Sequence, residues 1–213
     1  MERMDNRILE LYLDCEKEMR KHARSLVRVL EQQFGKQSVF YGAEVGVWKG
    51  ELTADLLRFF PEVQIMMVDS WEPFDSSAMH SKDNNTKAMS EAQEAAIQNT
   101  LFADKRRAIT NYPSVRAARF QEDGSMDFVF IDADHYYESV QADLEAWWPK
   151  VQDFGIMAGH DYNGMGDRRK GWGIKRAVDE FFGAMDLEVR VEPGLVWWVA
   201  KGNRREGLEE DHA

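Results

Sequence analysis

The chain has a single cysteine, Cys15, in 213 residues. A lone thiol excludes an internal disulfide framework and fits a reducing cytoplasm. Basic residues are in the minority: 27 Lys and Arg face 38 Asp and Glu, a formal net charge of −11. No basic stripe offsets this, so nucleic acid and anionic membrane surfaces are not expected partners. No apolar run is long enough to span a bilayer, and Met1-Glu2-Arg3-Met4-Asp5 does not lead into the apolar stretch of a secretion signal. Internal repeats and low-complexity linkers are also lacking, and there are only five prolines. What is present is 44% hydrophobic residues, enough for one sizeable core.

The spacing of apolar residues orders the elements. Ile8, Tyr12, Cys15, Met19, Leu26, Val29 and Leu30 fall near one face of a helix from about Asp5 to Phe34, with Gly35 as its stop. This helix precedes the first strand and is expected to pack outside the sheet, as a lid, as a contact in a homo-oligomer or as plain packing. Strands are predicted over Val39–Val45, Val63–Val68, Arg107–Thr110, Met126–Ile131 and Phe154–Ala158. Helices over Glu51–Phe60, Thr86–Phe102, Ser114–Arg119, Tyr137–Trp148 and Ile174–Phe182 alternate with them. Leu187–Val191 and Leu195–Ala200 are strand-like too, but only Glu192-Pro193-Gly194 separates them. So short a turn permits an antiparallel pair and forbids a parallel crossover.

The expected fold is therefore α/β. It is a Rossmann-like three-layer sandwich with a mostly parallel seven-stranded sheet, an antiparallel terminal strand and an N-terminal helix. Residues 1–38 form the helical extension, 39–200 the main domain and 201–213 a loose polar tail.

Two predicted strands end in acids and imidazoles. Phe128-Val129-Phe130-Ile131 runs into Asp132-Ala133-Asp134-His135, and Gly155-Ile156-Met157-Ala158-Gly159 runs into His160-Asp161-Tyr162. A helix between them makes the strands parallel and their carboxyl ends neighbours. Asp132, His160 and Asp161 are thus expected in one crevice, where an unpaired buried charge would be costly. At the first strand-to-helix turn stands Glu44-Val45-Gly46-Val47-Trp48-Lys49-Gly50. Trp48 occupies the place of a second glycine, so a dinucleotide pyrophosphate is disfavoured. Asp69 ends the second strand, where a carboxylate can accept both ribose hydroxyls.

Four stretches together resemble the class I S-adenosylmethionine-dependent methyltransferases: Glu44 to Gly50, Val68-Asp69-Ser70-Trp71, Asp127 to Glu138 and Gly159-His160-Asp161-Tyr162. Within that class they look most like the small metal-dependent O-methyltransferases, including the macrocin-type sugar enzymes, and more distantly the catechol-type enzymes. The resemblance covers about Tyr41 to Ala200. It implies that Glu44 and Gly46 contact the methionine part of the cofactor and that Asp69 holds the ribose. It also sets Val47, Trp48, Ser70 and Asp132 beside the cofactor, and Ser114 near the adenine.

Methyl transfer from a sulfonium needs an aligned, activated oxygen nucleophile. A divalent cation on Asp132, His160 and Asp161 could orient and acidify a hydroxyl, and by resemblance these positions match the metal site. Many relatives carry an acid where His160 stands. Carboxylate sites favour magnesium, whereas an imidazole favours manganese or another transition ion. His135 suits a general base, and Asp132 is a second candidate for that role. Asp134 is expected to cap the following helix or orient a ligand. Asn163 to Gly173, with four glycines and Arg168-Arg169-Lys170, reads either as a substrate lid or as a solvated connection. Trp71, Tyr162 and Trp172 are candidates for an acceptor pocket. The expected activity is O-methylation of a small hydroxylated acceptor, with nitrogen as an open alternative. An NAD-dependent oxidoreductase and an inactive nucleoside-binding module are the competing readings.

Overall fold

The computed structural model describes residues 19–73, 84–169 and 171–202. Ile8, Tyr12 and Cys15 of the expected first helix, most of the loop from Glu72 to Asn85, and the expected tail beyond Gly202 lie outside the described residues. Seven strands form one sheet: β1 Tyr41–Val45, β2 Gln64–Val68, β3 Arg107–Thr110, β4 Met126–Ile131, β5 Val151–Gly159, β6 Arg190–Glu192 and β7 Val196–Ala200. Their spatial order is β3-β2-β1-β4-β5-β7-β6. The first five are parallel, and β7 is antiparallel to both its neighbours. The last strand of the chain thus inserts between β5 and β6 instead of closing the edge. Strand order reverses between β1 and β4, which opens a crevice at their carboxyl ends.

The helices are α1 Lys21–Phe34, α2 Glu51–Phe59, α3 Thr86–Asn99, α4 Ser114–Ala118, α5 Tyr137–Trp147, α6 Met165–Arg169 and α7 Ile174–Gly183. Side chains alternate across each strand, so a continuous apolar strand serves two cores at once. Phe128 and Phe130 of β4 join Ile65 and Met67 of β2 beneath α1, α2 and α3. Met126, Val129 and Ile131 join Val45, Met66 and Val68 beneath α4, α5 and α7. That is the expected three-layer sandwich.

The first helix departs from expectation. Arg20 is extended, with φ −62° and ψ 155°, and the helix begins only at Lys21. The bend lets Met19 enter the core while Arg20 pairs with Glu51 at the head of α2. Nor does α1 lie outside the core, since Ala23, Leu26, Val27 and Leu30 are buried against the sheet. Gly35 is the stop: it takes φ +81°, and its N–H reaches the Glu31 carbonyl at 2.9 Å. β5 starts earlier than expected, and its pairing with β4 slips between Met126 and Phe128. Phe154 takes φ +65° at the slip and turns out to solvent.

β1 and β4 pair Gly42 with Phe128. A Cβ at Gly42 would lie 2.1 Å from the Phe128 ring. Gly42→Ala is therefore expected to cost about 1–3 kcal/mol through overpacking. A lower urea midpoint would register this, and an unchanged midpoint would show that the ring can move aside.

Candidate functional site

A cleft of about 400 Å³ opens at the carboxyl ends of β1, β2 and β4. Gly46, Trp48, Asp69, Ser70, Ser114 and Asp132 line it, as do Pro113, Asp134, Ser139 and Asp143. Gly46 is fixed by backbone geometry as much as by any ligand. It takes φ +89°, and a Cβ there would lie 2.3 Å from the Asp132 carbonyl oxygen. The turns after β1 and β4 are therefore in van der Waals contact, and the Asp132 N–H donates to the Val45 carbonyl at 2.8 Å.

Asp69 holds the first turn in shape. Its Oδ2 accepts from the N–H groups of Val47 and Trp48 at 3.0 and 2.9 Å, and its Oδ1 from the Trp71 N–H at 2.8 Å. A carboxylate has about four acceptor sites, so roughly one remains for a ligand. Trp48 and Trp71 both adopt positive φ, 52° and 46°, and the Trp71 indole N–H donates to the Trp48 carbonyl at 2.8 Å. Trp71 is buried in the core. It locks the turn and is not among the residues lining the cleft.

Two expected cofactor contacts sit elsewhere. Val47 is buried in the core and is not a lining residue. Glu44 is buried beneath α2, where it accepts the Thr53 hydroxyl, and it too is off the cleft wall. Burial pushes the Glu44 carboxyl up to about 8, against the hydrogen bond from Thr53. Burial thus favours its neutral form.

At the far end of the cleft Ser114 donates to Asp143 and accepts from the Trp147 indole N–H at 2.9 Å. Asp143 was missed from sequence. It is 4% exposed, and burial raises its carboxyl to about 7. Its signal was legible: Val140, Asp143, Leu144 and Trp147 share one stripe of α5, and an acid on an apolar stripe asks for a reason.

The acids and imidazoles do converge. His135 Nε2 lies 3.1 Å from Asp161 Oδ2 and 3.6 Å from Asp132 Oδ1. His160 Nδ1 lies 3.5 Å from Asp161 Oδ2 and 3.7 Å from Asp132 Oδ2. Ligand atoms of Asp132, His135 and Asp161 all fall within 4.8 Å of one another, so His135 is as close a donor as the expected His160. The His135 Nε2 atom is buried without a well-aligned hydrogen bond. Burial opposes charge throughout this cluster, but the pairing outweighs it. The two carboxylates hold His135 up at about 9 and His160 at about 10, while the imidazoles hold Asp132 down at about 2 and Asp161 well below the usual carboxylate range.

His22 of α1 was also missed. Its ring centroid is 4.7 Å from that of His160. Burial and the neighbouring His160 lower it to about 4.

The segment from Asn163 to Gly173 is neither a bare loop nor a loose one where described. It contains α6, and Asp167 staples it to α7 by accepting from the N–H groups of Ile174, Lys175 and Asn163 at 3.0, 3.0 and 3.1 Å. Trp172 stacks on His135 with centroids 4.3 Å apart, and Gly166 leaves room for its indole. Tyr162 donates to Asp179 at 2.6 Å. Asp134 accepts from the His135 N–H and, at 2.6 Å, from the Ser139 hydroxyl, which orients the loop at the head of α5.

This sheet order, with a glycine turn after the first strand and an acid after the second, is the fold of the class I S-adenosylmethionine-dependent methyltransferases. Residues 43–162 match the family described as methyltransferase domain, over half of the chain, and the protein belongs to it. No curated protein matches the chain. Among solved structures, a methyltransferase from Geobacter sulfurreducens is similar at 13% identity and a TM-score of 0.58, over 94% of this chain and 90% of that one. CalS11, a TDP-rhamnose 3′-O-methyltransferase of calicheamicin biosynthesis, is similar at 17% identity and a TM-score of 0.55, over 84% and 78%. MycE, a methyltransferase of the mycinamycin pathway solved with Mg and S-adenosylhomocysteine, is similar at 19% identity and a TM-score of 0.52, over 87% of this chain and 51% of MycE. These likenesses establish the shared fold. Among the described residues, no helix is long and apolar enough to cross a membrane.

Glu44 supplies a pH test. Its folded pKa is raised, so the stability it contributes is complete below its unfolded value near 4.5 and is lost as pH rises through about 8. Glu44→Gln keeps an acceptor for Thr53 and removes the titration. The variant is expected to lose less stability than the parent between pH 5 and 8, measured as the urea midpoint. Parallel curves would contradict the assignment.

Proposed function

We propose that the protein transfers the methyl group of S-adenosyl-L-methionine to an oxygen of a small hydroxylated acceptor, a sugar or a secondary metabolite. Asp132, His160 and Asp161, with His135 beside them, would hold a divalent cation, which would supply Lewis acidity to the acceptor hydroxyl. One observation carries this reading: Asp132 borders both the nucleoside-sized cleft and the carboxylate–imidazole cluster. A donor in the cleft and an acceptor over the cluster would meet there. The donor set suits a cation, because the His160 Nδ1 atom faces the Asp132 and Asp161 carboxylates at 3.7 and 3.5 Å.

The acceptor oxygen attacks the methyl carbon in line with the sulfonium sulfur. The C–O bond forms as the C–S bond breaks, its electron pair passes to sulfur, and the hydroxyl proton passes to His135 Nε2. A divalent cation shared by the carboxylates would lower the hydroxyl pKa and weaken the field that keeps His135 protonated. Trp172, stacked on His135, holds the imidazole in place and covers one of its faces from water. In the cleft, the remaining acceptor site of Asp69 suits a ribose hydroxyl. Asp143, bonded to Ser114 at one oxygen, suits the 6-amino group of adenine at the other.

Calorimetric titration with S-adenosylhomocysteine and with NADH separates this reading from the oxidoreductase. The first is expected to bind and the second not, and the reverse would end the proposal. Asp69→Ala should weaken S-adenosylhomocysteine binding by about 10–100-fold, as a charged hydrogen-bond partner is lost. His135→Ala should lower kcat by about 10²–10⁴-fold on a hydroxylated acceptor while cofactor affinity holds. Normal turnover in that variant would remove His135 from the chemistry.

A further inference from the structure

Resting on the methyl-transfer reading above, we propose that a second cavity, beside the reaction centre, anchors the acceptor by an anionic group remote from the methylated hydroxyl. The group is a carboxylate or a phosphate, and Arg168 is the residue that pairs with it. The cavity holds about 440 Å³, room for a small-molecule fragment. It lies between α6 and α7, with Arg168, Trp172, Lys175 and Arg176 in its wall.

Trp172 borders both places. It lines the cavity, and its indole stacks on the His135 ring with centroids 4.3 Å apart. The next residue, Gly173, donates its N–H to the His135 carbonyl at 2.9 Å. On the β5 side, Asn163 lines the cavity two residues after Asp161, and the Gly164 N–H donates to the Asp161 carbonyl at 3.1 Å. The cavity is thus tied by two backbone segments to residues that would meet the acceptor hydroxyl. An acceptor reaching past the Trp172 indole would occupy both.

The sign of the ligand follows from which charges in the wall are already matched. Three acids line the cavity, and each of their oxygens has a donor. Asp167 accepts the backbone N–H groups of Ile174 and Lys175 at 3.0 Å and of Asn163 at 3.1 Å. Asp179 accepts the Tyr162 hydroxyl at 2.6 Å and pairs with Lys175. Glu180 accepts the Tyr137 hydroxyl at 2.5 Å and pairs with Arg176 at 2.9 Å. The two cations of α7 are thereby neutralised. Arg168 is the exception. It is half-buried, and among the described residues no carboxylate pairs with it. Its Nε reaches the Gly164 carbonyl only at 3.4 Å, beyond the usual hydrogen-bond range. A guanidinium presents five donors in a planar fork that matches a carboxylate or a phosphate. A cation drawn partly out of water without a counter-charge favours an anion from outside. The fork is also held ready, because the Asp167 bonds fix α6 to α7 before any ligand arrives.

The test is calorimetric titration of the full-length protein, with magnesium and S-adenosylhomocysteine present, using two matched pairs of hydroxylated probes. One pair is protocatechuate and catechol, the other glucose 6-phosphate and glucose. The anionic member of at least one pair is expected to bind about 10–100-fold tighter than its neutral partner, as a charge-assisted bidentate contact is gained. Which pair shows the preference separates carboxylate from phosphate. Arg168→Gln should abolish the preference while S-adenosylhomocysteine affinity, the control of fold, holds. Arg169→Gln, exposed on the same helix but outside the cavity wall, should leave the preference whole. No preference in either pair, or one that survives Arg168→Gln, would overturn the subsite. Equal loss in Arg169→Gln would overturn it too, by reducing the effect to diffuse charge. Titration with S-adenosylhomocysteine alone judges the methyltransferase reading separately: absence of binding would remove that reading, while the anion preference of the unloaded protein would still stand or fall on Arg168.

Discussion

The contact between the turns after β1 and β4 is the constraint on which the site depends. Gly46 lies so close to the Asp132 carbonyl that no side chain fits between them, and the Asp132 N–H closes the gap onto Val45. The first turn is part of the cleft wall, and the second begins the carboxylate–imidazole cluster. In the proposed function, binding of a donor and activation of an acceptor become tasks of two adjacent backbones. Asp69 reinforces the arrangement from β2 by gathering three backbone N–H groups. These amides would otherwise be orphans in a buried turn.

Four of the seven described non-glycine residues with positive φ border the cleft and the carboxylate–imidazole cluster. Trp48, Trp71, Asp161 and Asn163 all take positive φ, a region that costs a residue with a Cβ roughly 1–2 kcal/mol. Each stands at the carboxyl edge of the sheet, and the side-chain bonds of Asp69 and Asp167 hold these turns from beneath. Conformations of this kind persist only where their surroundings over-determine them.

Much of this was legible in the sequence because it followed from periodicity and punctuation. β4 kept its predicted limits, since its residues serve two cores at once. The short Glu192-Pro193-Gly194 turn announced the antiparallel finish. The meeting of Asp132 with His160 and Asp161 followed from parallel strands sharing an edge. Residues whose roles depend on tertiary direction were harder to read. Glu44 and Asp69 both border the first crossover, yet one faces the core and the other the cleft. Asp143 and His22 lie on apolar helix stripes, which marks them as buried without saying against what. The break at Arg20 had no local signal; there the side chain pairs with distant Glu51.

The seat of α1 has a consequence for how the protein comes into being. Its first turn rests on the β6–β7 hairpin, with Gly194 against His22 and Pro193 against Ser25. Residues near 20 and near 195 must therefore both be in place before the imidazole pair is aligned. On the ribosome, the early helix waits for the final hairpin to emerge. The alignment of the His22 and His160 rings should therefore arrive late and all at once.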